Sequence, residues 1–138
     1  MKILVDTCAW SLLLRRRRDA ALNDEDRRML AALTDTIQDG RVAIIGPIRL
    51  EVLSGIKEAA QFVKVRSALE PFEDESLTTA HYEEAARLFN LCRRGGVECG
   101  ATDVLICAVA VRMRWEILTS DEGLKRCIDV LRDEGTVR

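Results

Sequence analysis

The stretch KILVDTCAWSLLLRRRR, residues 2–18, decides the fold class that the sequence predicts. Its apolar run before Asp6 is short and is typical of a strand buried on both faces of a sheet. The residues from Thr7 onward predict a helix that ends in the basic cluster at 15–18. An apolar strand followed at once by a helix is the first unit of an alternating α/β chain.

The rest of the chain continues this alternation. VAII (42–45) and EILTSD (116–121) predict two more strands, with a short or irregular segment at 70–76 and an edge strand near Val130. Helices are predicted over 23–40, from Pro47, over 57–69, over 78–96, around Asp103 and from about Glu122. Asn23 or Asp24 is the expected N-cap of the second helix. The sequence therefore predicts a three-layer α/β/α domain around a central, mostly parallel sheet.

Composition places the chain among single-domain globular proteins. Its 138 residues suit one domain over 1–138, with 48% apolar and 32% charged residues. The net charge of −2, from 21 Lys and Arg against 23 Asp and Glu, excludes a histone-like polycation. No apolar run reaches the roughly 18 residues of a membrane span. We therefore expect a soluble, cytoplasmic protein with no membrane partner.

The cysteines are expected to be free. They form no C-x-x-C pair, and their odd number fits neither a disulfide framework nor a zinc site. The five residues are Cys8, Cys92, Cys99, Cys107 and Cys127. Free cysteines pack as small apolar side chains and are typical of a reducing cytoplasm.

Four acidic residues are expected at one edge of the sheet. Asp6 ends the first strand and Asp121 ends the third predicted strand. Glu51 and Asp103 lie near the beginnings of helices that start at the same edge. Because ligands of open parallel sheets bind beyond the carboxyl ends of the strands, these four side chains are candidates for one site.

The chemistry expected of this site follows from burial. Helical spacing places Glu51 on one face with Ile48 and Val52, and Asp103 on one face with Ile106, so both acids are expected on the buried side. Buried carboxylates without a cation are costly, and together they repel. A divalent ion resolves both problems, and Mg²⁺ or Mn²⁺ prefers oxygen ligands. The sequence therefore predicts metal-assisted phosphoryl chemistry.

Each acid also has a structural explanation. Asp6 and Asp121 can cap the helices that follow them, Asp103 can interact with its helix dipole, and Glu51 can pair with a distant arginine. We favour the metal site because all four explanations would have to hold together at one edge. The sole histidine, His81, lies in a first helical turn and is expected to be a surface or capping residue, which excludes a two-histidine ribonuclease.

Four segments together resemble PIN-domain proteins, and most closely the VapC-type toxins of toxin–antitoxin pairs. They are ILVDTCAWSLLLR, GPIRLEVLSGIK, GATDVLICAVAV and ILTSDEGL, in this order along the whole chain. The resemblance implies the α/β/α fold and a metal-dependent endoribonuclease that cleaves RNA phosphodiesters. It implies Asp6, Glu51, Asp103 and Asp121 as metal-binding and catalytic acids. Thr7 and Thr119 would orient water or metal.

The resemblance also implies partners. They are a VapB-type antitoxin that neutralises the toxin, a second copy in a homodimer, and DNA only indirectly through the antitoxin. The chain departs from the family pattern at Cys8, where Ser is common, and at Gly123 and Leu124, where Asp and Phe are frequent. The missing acid favours one firmly bound ion with another recruited by substrate.

The basic run Arg15, Arg16, Arg17 and Arg18 has three open interpretations: RNA contact, antitoxin contact, or a solvated surface. Two rival functions also stay open. One is a catalytically inactive, PIN-like protein-binding module. The other is a phosphotransfer domain with Asp6 as nucleophile, which fits poorly because position 8 is Cys and residues 3–5 are apolar.

Overall fold

The computed structural model describes residues 1–16 and 21–135 and has an α/β architecture. Strands and helices alternate from the N-terminus as the sequence predicts. In chain order the elements are β1 (Ile3–Val5), α1 (Thr7–Leu14), α2 (Asp24–Gln38), β2 (Val42–Ile45), α3 (Gly46–Leu53), α4 (Ala59–Leu69), β3 (Asp74–Glu75), α5 (Thr79–Arg94), α6 (Ala101–Met113), β4 (Glu116–Leu118) and α7 (Glu122–Asp133).

The strands form one sheet in the order β3-β2-β1-β4, and each recorded pairing is parallel. Leu4 of β1 lies opposite Ala43 of β2 and Ile117 of β4. The chain therefore moves outward from β1 through β2 to β3 and then crosses to the other side of β1. This crossing makes the gap between β1 and β4 the topological switch point, where open α/β sheets bind their ligands.

The helices pack in two groups that agree with the predicted layers. Helix α1 contacts α2 and α3, while α5, α6 and α7 contact one another. The core between these groups and the sheet is apolar and includes Leu4, Ile44, Leu33, Leu88 and Ile106, each at most 1% exposed. Burial of these side chains supplies the main favourable free energy of folding.

Local capping signals are confirmed. The side chain of Asn23 accepts from the backbone N–H of Asp26 and caps α2, and Gly40 follows that helix with a φ of 67°. His81 caps α5, because its Nδ1 accepts from the backbone N–H of Thr78 at 3.0 Å. The histidine is buried rather than at the surface, with 6% of its side chain exposed.

Two predicted elements differ from the structure. Helix α1 ends at Leu14 rather than in the basic run, because Arg15 closes its last turn and turns its guanidinium to carbonyl oxygens at the end of α3. Val130 lies inside α7 and not in an edge strand. The apolar spacing of Leu124, Cys127 and Leu131 buries one face of that helix, which overrides the local strand signal of Val130.

The expectation of five free cysteines was wrong for one pair. Cys99 and Cys127 form a disulfide across 28 positions of sequence, and Cys8, Cys92 and Cys107 are free. No spacing motif reports this pairing, because it depends on the packing of α7 against the segment between α5 and α6.

Helices long and apolar enough to cross a membrane are absent from the part of the chain that the structure describes.

Candidate metal site

Asp6 lies at the junction of β1 and α1, at the switch point of the sheet. It follows the last residue of β1 and is the N-cap of α1, where its Oδ1 accepts from the backbone N–H of Thr7 at 2.7 Å. Its side chain is only 6% exposed. The turn from strand to helix therefore fixes one carboxylate at the carboxyl edge of the central strand.

Thr119 holds the other oxygen of this carboxylate. The backbone N–H of Asp6 donates to the carbonyl of Leu118 at the end of β4, which brings the two strand ends together. Beyond that contact the Thr119 hydroxyl donates to Asp6 Oδ2 at 2.7 Å and accepts from the backbone N–H of Asp121 at 3.0 Å. Thr119 thus links two of the predicted acidic positions.

Cys8 adds a contact to the same network. Its Sγ lies 3.6 Å from Asp6 Oδ2 as a donor and 3.5 Å from the Thr119 hydroxyl, and it accepts from the backbone N–H of Ser120 at 3.3 Å. The sequence patterns did not predict a role for Cys8 in this site. Its position two residues after Asp6, at the beginning of a helix, was the available signal that its side chain would reach the site.

Glu51 lies on α3, which follows β2. Its Oε2 accepts from the Thr7 hydroxyl at 3.0 Å, so the threonine after Asp6 connects Glu51 to the end of β1. The expectation that Glu51 would be on the buried side was wrong, because the side chain is exposed. Ile48 and Val52 of α3 are buried, and Glu51 lies at the rim of that face rather than within it.

Asp103 and Asp121 are near the beginnings of α6 and α7. Asp103 is half-buried, and its Oδ2 accepts from the backbone N–H of Gly100 at 3.3 Å. Asp121 is exposed and is the N-cap of α7, where its Oδ2 accepts from the backbone N–H of Leu124 at 2.8 Å. Asp121 therefore begins α7 as its structural explanation predicted, and Asp103 accepts a hydrogen bond at the N-terminus of α6, where the helix-dipole explanation places it.

Gly123 bears on the position of Asp121. A Cβ added at residue 123 would lie 3.2 Å from Asp121 Oδ2, closer than ordinary van der Waals contact. A side chain at this position would require Asp121 to shift by a few tenths of an ångström. Gly123 therefore allows the capping geometry that Asp121 has here.

The four acids act on one another through their charges. Burial is the main cause that raises the pKa of Asp103, and the negative charges of Asp121, Asp6 and Glu51 raise it further against the opposing Gly100 hydrogen bond. Burial also raises the pKa of Asp6, with a smaller contribution from Asp121, against hydrogen bonds from Thr119, Thr7 and Cys8. Like charges raise carboxyl pKa values only when they are near one another.

The carboxylates of the described residues nevertheless form no group of three whose ligand atoms lie within 4.8 Å of one another. Within residues 1–16 and 21–135, one group of three such ligand atoms from His, Cys, Asp or Glu lies within 4.8 Å. It consists of the sulfurs of Cys92, Cys99 and Cys127. Asp6, Asp103 and Asp121 each accept hydrogen bonds of their own. Their donors are carboxylate and hydroxyl oxygens, which suit Mg²⁺ or Mn²⁺, and a cation would remove the repulsion.

The described arginines of the basic run, Arg15 and Arg16, lie just after α1. Arg15 donates from Nη1 to the carbonyl oxygens of Val52 and Ser54, at 3.2 and 3.1 Å. Arg16 is exposed and lines a cleft of about 410 Å³ together with Arg15 and Lys57. Arg17 and Arg18 lie outside the described residues.

Comparisons with known proteins agree with this fold. The family model for the PIN domain matches residues 3–128. Among solved structures, FitAcB from Neisseria gonorrhoeae is similar, with a TM-score of 0.71 and 21% sequence identity over 92% of this chain and 93% of that one. No curated protein sequence matches the chain significantly.

Proposed function

The chain belongs to the PIN domain family, and from that membership we propose that it is a Mg²⁺-dependent endoribonuclease of the VapC type. PIN domains are generally nucleases that use divalent metals. The proposal adds the substrate, RNA, and the biological role, a growth-inhibiting toxin. The single observation that carries it is the hydrogen-bond network at the switch point, in which Thr119 joins Asp6 to the Asp121 backbone and Thr7 contacts Glu51.

Asp6, Asp103, Asp121 and Glu51 would hold the metal. When bound, Mg²⁺ or Mn²⁺ supplies charge neutralisation at the phosphodiester and lowers the pKa of water. This chemistry needs oxygen donors at fixed positions. The hydrogen bonds from Thr119, Thr7 and Gly100 hold the acceptors before substrate arrives, which limits the reorganisation that binding requires.

The remaining residues would orient and admit the substrate. The Thr7 hydroxyl beside Glu51 lies at the exposed rim and can orient a water for in-line attack. Arg16 and Lys57 at their cleft supply positive charge for the RNA backbone, which an acidic site requires in order to admit a polyanion. Arg15 would act mainly in the fold, since its guanidinium contacts α3.

RNA cleavage by the purified protein tests this proposal. The wild type with Mg²⁺ or Mn²⁺ should cut cellular RNA at specific positions, which sequencing of the new ends would map, and EDTA should abolish cutting. Asp6→Asn and Asp103→Asn should lose at least about 100-fold in rate. Asp35→Asn, which changes an exposed acid on α2, is the matched control and should retain the rate.

Growth provides the second test. Expression of the wild type alone should arrest cells, whereas Asp6→Asn should be tolerated. Equal toxicity of the two proteins, or equal RNA cleavage, would contradict metal-dependent catalysis. Folded wild type that neither cuts RNA nor binds Mn²⁺ would instead indicate the inactive binding module, and a trapped phosphoryl group on Asp6 would indicate phosphotransfer.

The partners follow from the same proposal. We propose a VapB-type antitoxin that silences the toxin, a homodimer, and a cytoplasmic location where RNA is available, with DNA reached only through the antitoxin. Sedimentation at the mass of two chains and restored growth on co-expression of the antitoxin would support these assignments. A monomer that stays toxic with the antitoxin would contradict them.

A further inference from the structure

Three cysteine sulfurs converge on the side of the molecule formed by α5, α6 and α7. Cys92 lies on α5, Cys99 on the segment 95–100 before α6, and Cys127 on α7. Their sulfurs lie within 4.8 Å of one another. Cys92 and Cys127 are fully buried, and Cys99 is 7% exposed. None of the three takes part in the acidic site, so the cluster requires its own explanation.

The bonding within the cluster indicates sulfur redox chemistry. Cys99 and Cys127 are joined, and their Cα atoms lie 6.4 Å apart, within the usual range of about 4.4–6.8 Å for disulfides. The Cys92 thiol donates to the carbonyl oxygen of Cys127 at 3.8 Å. Burial raises the pKa of this thiol and keeps it protonated.

A structural zinc site fits less well. Such sites bind four ligands, and zinc holds cysteine as the thiolate. The cluster provides three ligand sulfurs among the described residues. A third buried thiolate would also be costly where desolvation already favours the protonated form of Cys92.

We propose that Cys92, Cys99 and Cys127 form a reversible thiol–disulfide centre that a low-molecular-weight disulfide, such as oxidised glutathione, oxidises through Cys99. We place the first attack at Cys99 because Cys99 is 7% exposed, whereas Cys92 and Cys127 are fully buried. This inference goes beyond the proposed nuclease function and does not depend on it.

The oxidation proceeds in two exchanges. The Cys99 thiol loses its proton to solvent, and its sulfur attacks oxidised glutathione. A mixed disulfide forms, and one glutathione thiolate leaves and takes up a proton. The Cys127 sulfur, deprotonated in the same way, then attacks the Cys99 sulfur and releases the second glutathione. Two protein thiols are oxidised and one glutathione disulfide is reduced to two thiols.

Cys92 is the exchange partner. Its sulfur lies within 4.8 Å of both members of the disulfide. Attack of Cys92 on Cys127 would form a Cys92–Cys127 bond and return Cys99 to the thiol, with no net change in oxidation. The high pKa of the buried thiol makes this exchange slow, since the thiolate is the attacking form.

The disulfide has a mechanical consequence for the segment 95–100. It fastens this segment to α7, and the segment contains Gly95, Gly96 and Gly100, with a φ of 81° at Gly96. Glycines allow a wide choice of backbone conformations once the cross-link is absent. Reduction should therefore loosen the segment and the beginning of α6.

Thiol counting on the full chain tests the proposal. Denatured protein should alkylate at five cysteines after dithiothreitol and at three after oxidised glutathione, with peptides of Cys99 and Cys127 linked. Dithiothreitol should restore five. Cys107→Ala, which removes a buried cysteine outside the cluster, should lose two thiols on oxidation like the wild type.

Hydrogen exchange tests the mechanical part. Amides of 97–104 should exchange at least about 10-fold faster in the reduced than in the oxidised wild type. In Cys99→Ser the same amides should exchange at the fast rate under both reducing and oxidising conditions. If Cys99→Ser folds poorly, Cys99→Ala is the replacement variant for this measurement. Cys92→Ser should keep the Cys99–Cys127 bond but give no peptides linked through residue 92.

The proposal would be overturned by five reactive thiols after oxidised glutathione, by a two-thiol loss that dithiothreitol does not reverse, or by hydrogen-exchange rates independent of redox state. A metal site would replace the proposal if the reduced chain, given Zn²⁺ alone, took up one equivalent. That uptake would have to be lost in Cys92→Ser and to protect the cysteines against oxidation.

Discussion

Asp6 shows how one residue serves the fold and the candidate site together. As N-cap it begins α1, and as a buried carboxylate it takes hydrogen bonds from Thr7 and Thr119 at both oxygens. Sequence patterns predicted both roles, since an acid between an apolar strand and a helix is a capping residue at the binding edge. The hydroxyl that orients it belongs to Thr119, which follows β4 and lies 113 positions away in the sequence.

Thr119→Val removes that hydroxyl and should weaken metal binding. The variant keeps the shape of the side chain but leaves Asp6 Oδ2 without its 2.7 Å donor. We expect about 10–100-fold lower affinity for Mn²⁺, measured by calorimetry, as for other residues that orient metal ligands. Thr119→Ser retains the hydroxyl and should bind as the wild type. Equal affinity of the valine variant would show that Thr119 does not position Asp6.

Asp103→Asn should change how stability depends on pH in the absence of metal. The folded pKa of Asp103 is raised above its unfolded value, so the native state binds the proton more tightly. The favourable contribution is therefore present at low pH and is lost as pH rises through the raised pKa. Asparagine carries no charge in this pH range, so the variant avoids the loss of stability at higher pH. Its side-chain oxygen can still accept from the backbone N–H of Gly100.

Thermal unfolding in EDTA between about pH 4 and pH 8 measures this difference. The melting temperature of the variant should exceed that of the wild type by about 2–4 °C at the upper end, and the two should converge at the lower end. Asp35→Asn, on exposed α2 surface, should follow the wild type. Parallel curves for wild type and Asp103→Asn would contradict the charge repulsion at the site.

At the scale of elements, Arg15 explains why α1 is shorter than its sequence predicts. Apolar and arginine residues both favour helix, so local propensity does not end the helix at Leu14. The carbonyl oxygens at the end of α3 need donors, and the Arg15 guanidinium provides them. The contact joins α1 to α3, and the local sequence of neither helix indicates it.

Arg15→Met should therefore destabilise the fold by about 1 kcal/mol, since it removes a charged donor from two carbonyl oxygens while keeping an apolar stem. Urea denaturation followed by circular dichroism measures the change. Arg28→Met, at an exposed position of α2, should have little effect. Unchanged stability with weaker RNA binding would assign Arg15 to the substrate instead.

At the scale of the whole molecule, the sheet order collects residues from distant segments. Crossing from β3 to β4 places the end of β4 beside the end of β1, and α3 follows β2 on the other side. Asp6, Glu51, Asp103 and Asp121 thereby come from four segments to one edge. A metal ion bound by all four acids would connect the junction of β1 and α1 with α3, α6 and the beginning of α7.

Mn²⁺ should consequently stabilise the whole fold. A ligand that binds only the native state at 100 times its Kd adds about 2.7 kcal/mol, which for a chain of this size raises Tm by about 5–10 °C. Mn²⁺ prefers oxygen donors, so the cysteine cluster should not compete. Asp6→Asn should lose the shift, and Asp129→Asn, an exposed acid on α7, should retain it. A shift that survives in Asp6→Asn would place the ion elsewhere.

The sequence by itself determined the alternation of strands and helices as far as α7 and the caps at Asn23 and Gly40, and it provided the four acids as candidates. These features depend on residues a few positions apart, whose spacing reports which face is apolar and where a helix begins. The parallel sheet followed from the alternation of elements, and the shared edge of the acids followed from the sheet.

Only the tertiary structure decided which acids are buried, which cysteines pair and where Arg15 points. Glu51 is exposed although Ile48 and Val52 beside it are buried, and Cys99 meets Cys127 across 28 positions. These outcomes depend on contacts between segments far apart in the chain. Local spacing carries no information about such contacts, because they are selected by the packing of whole elements into one core.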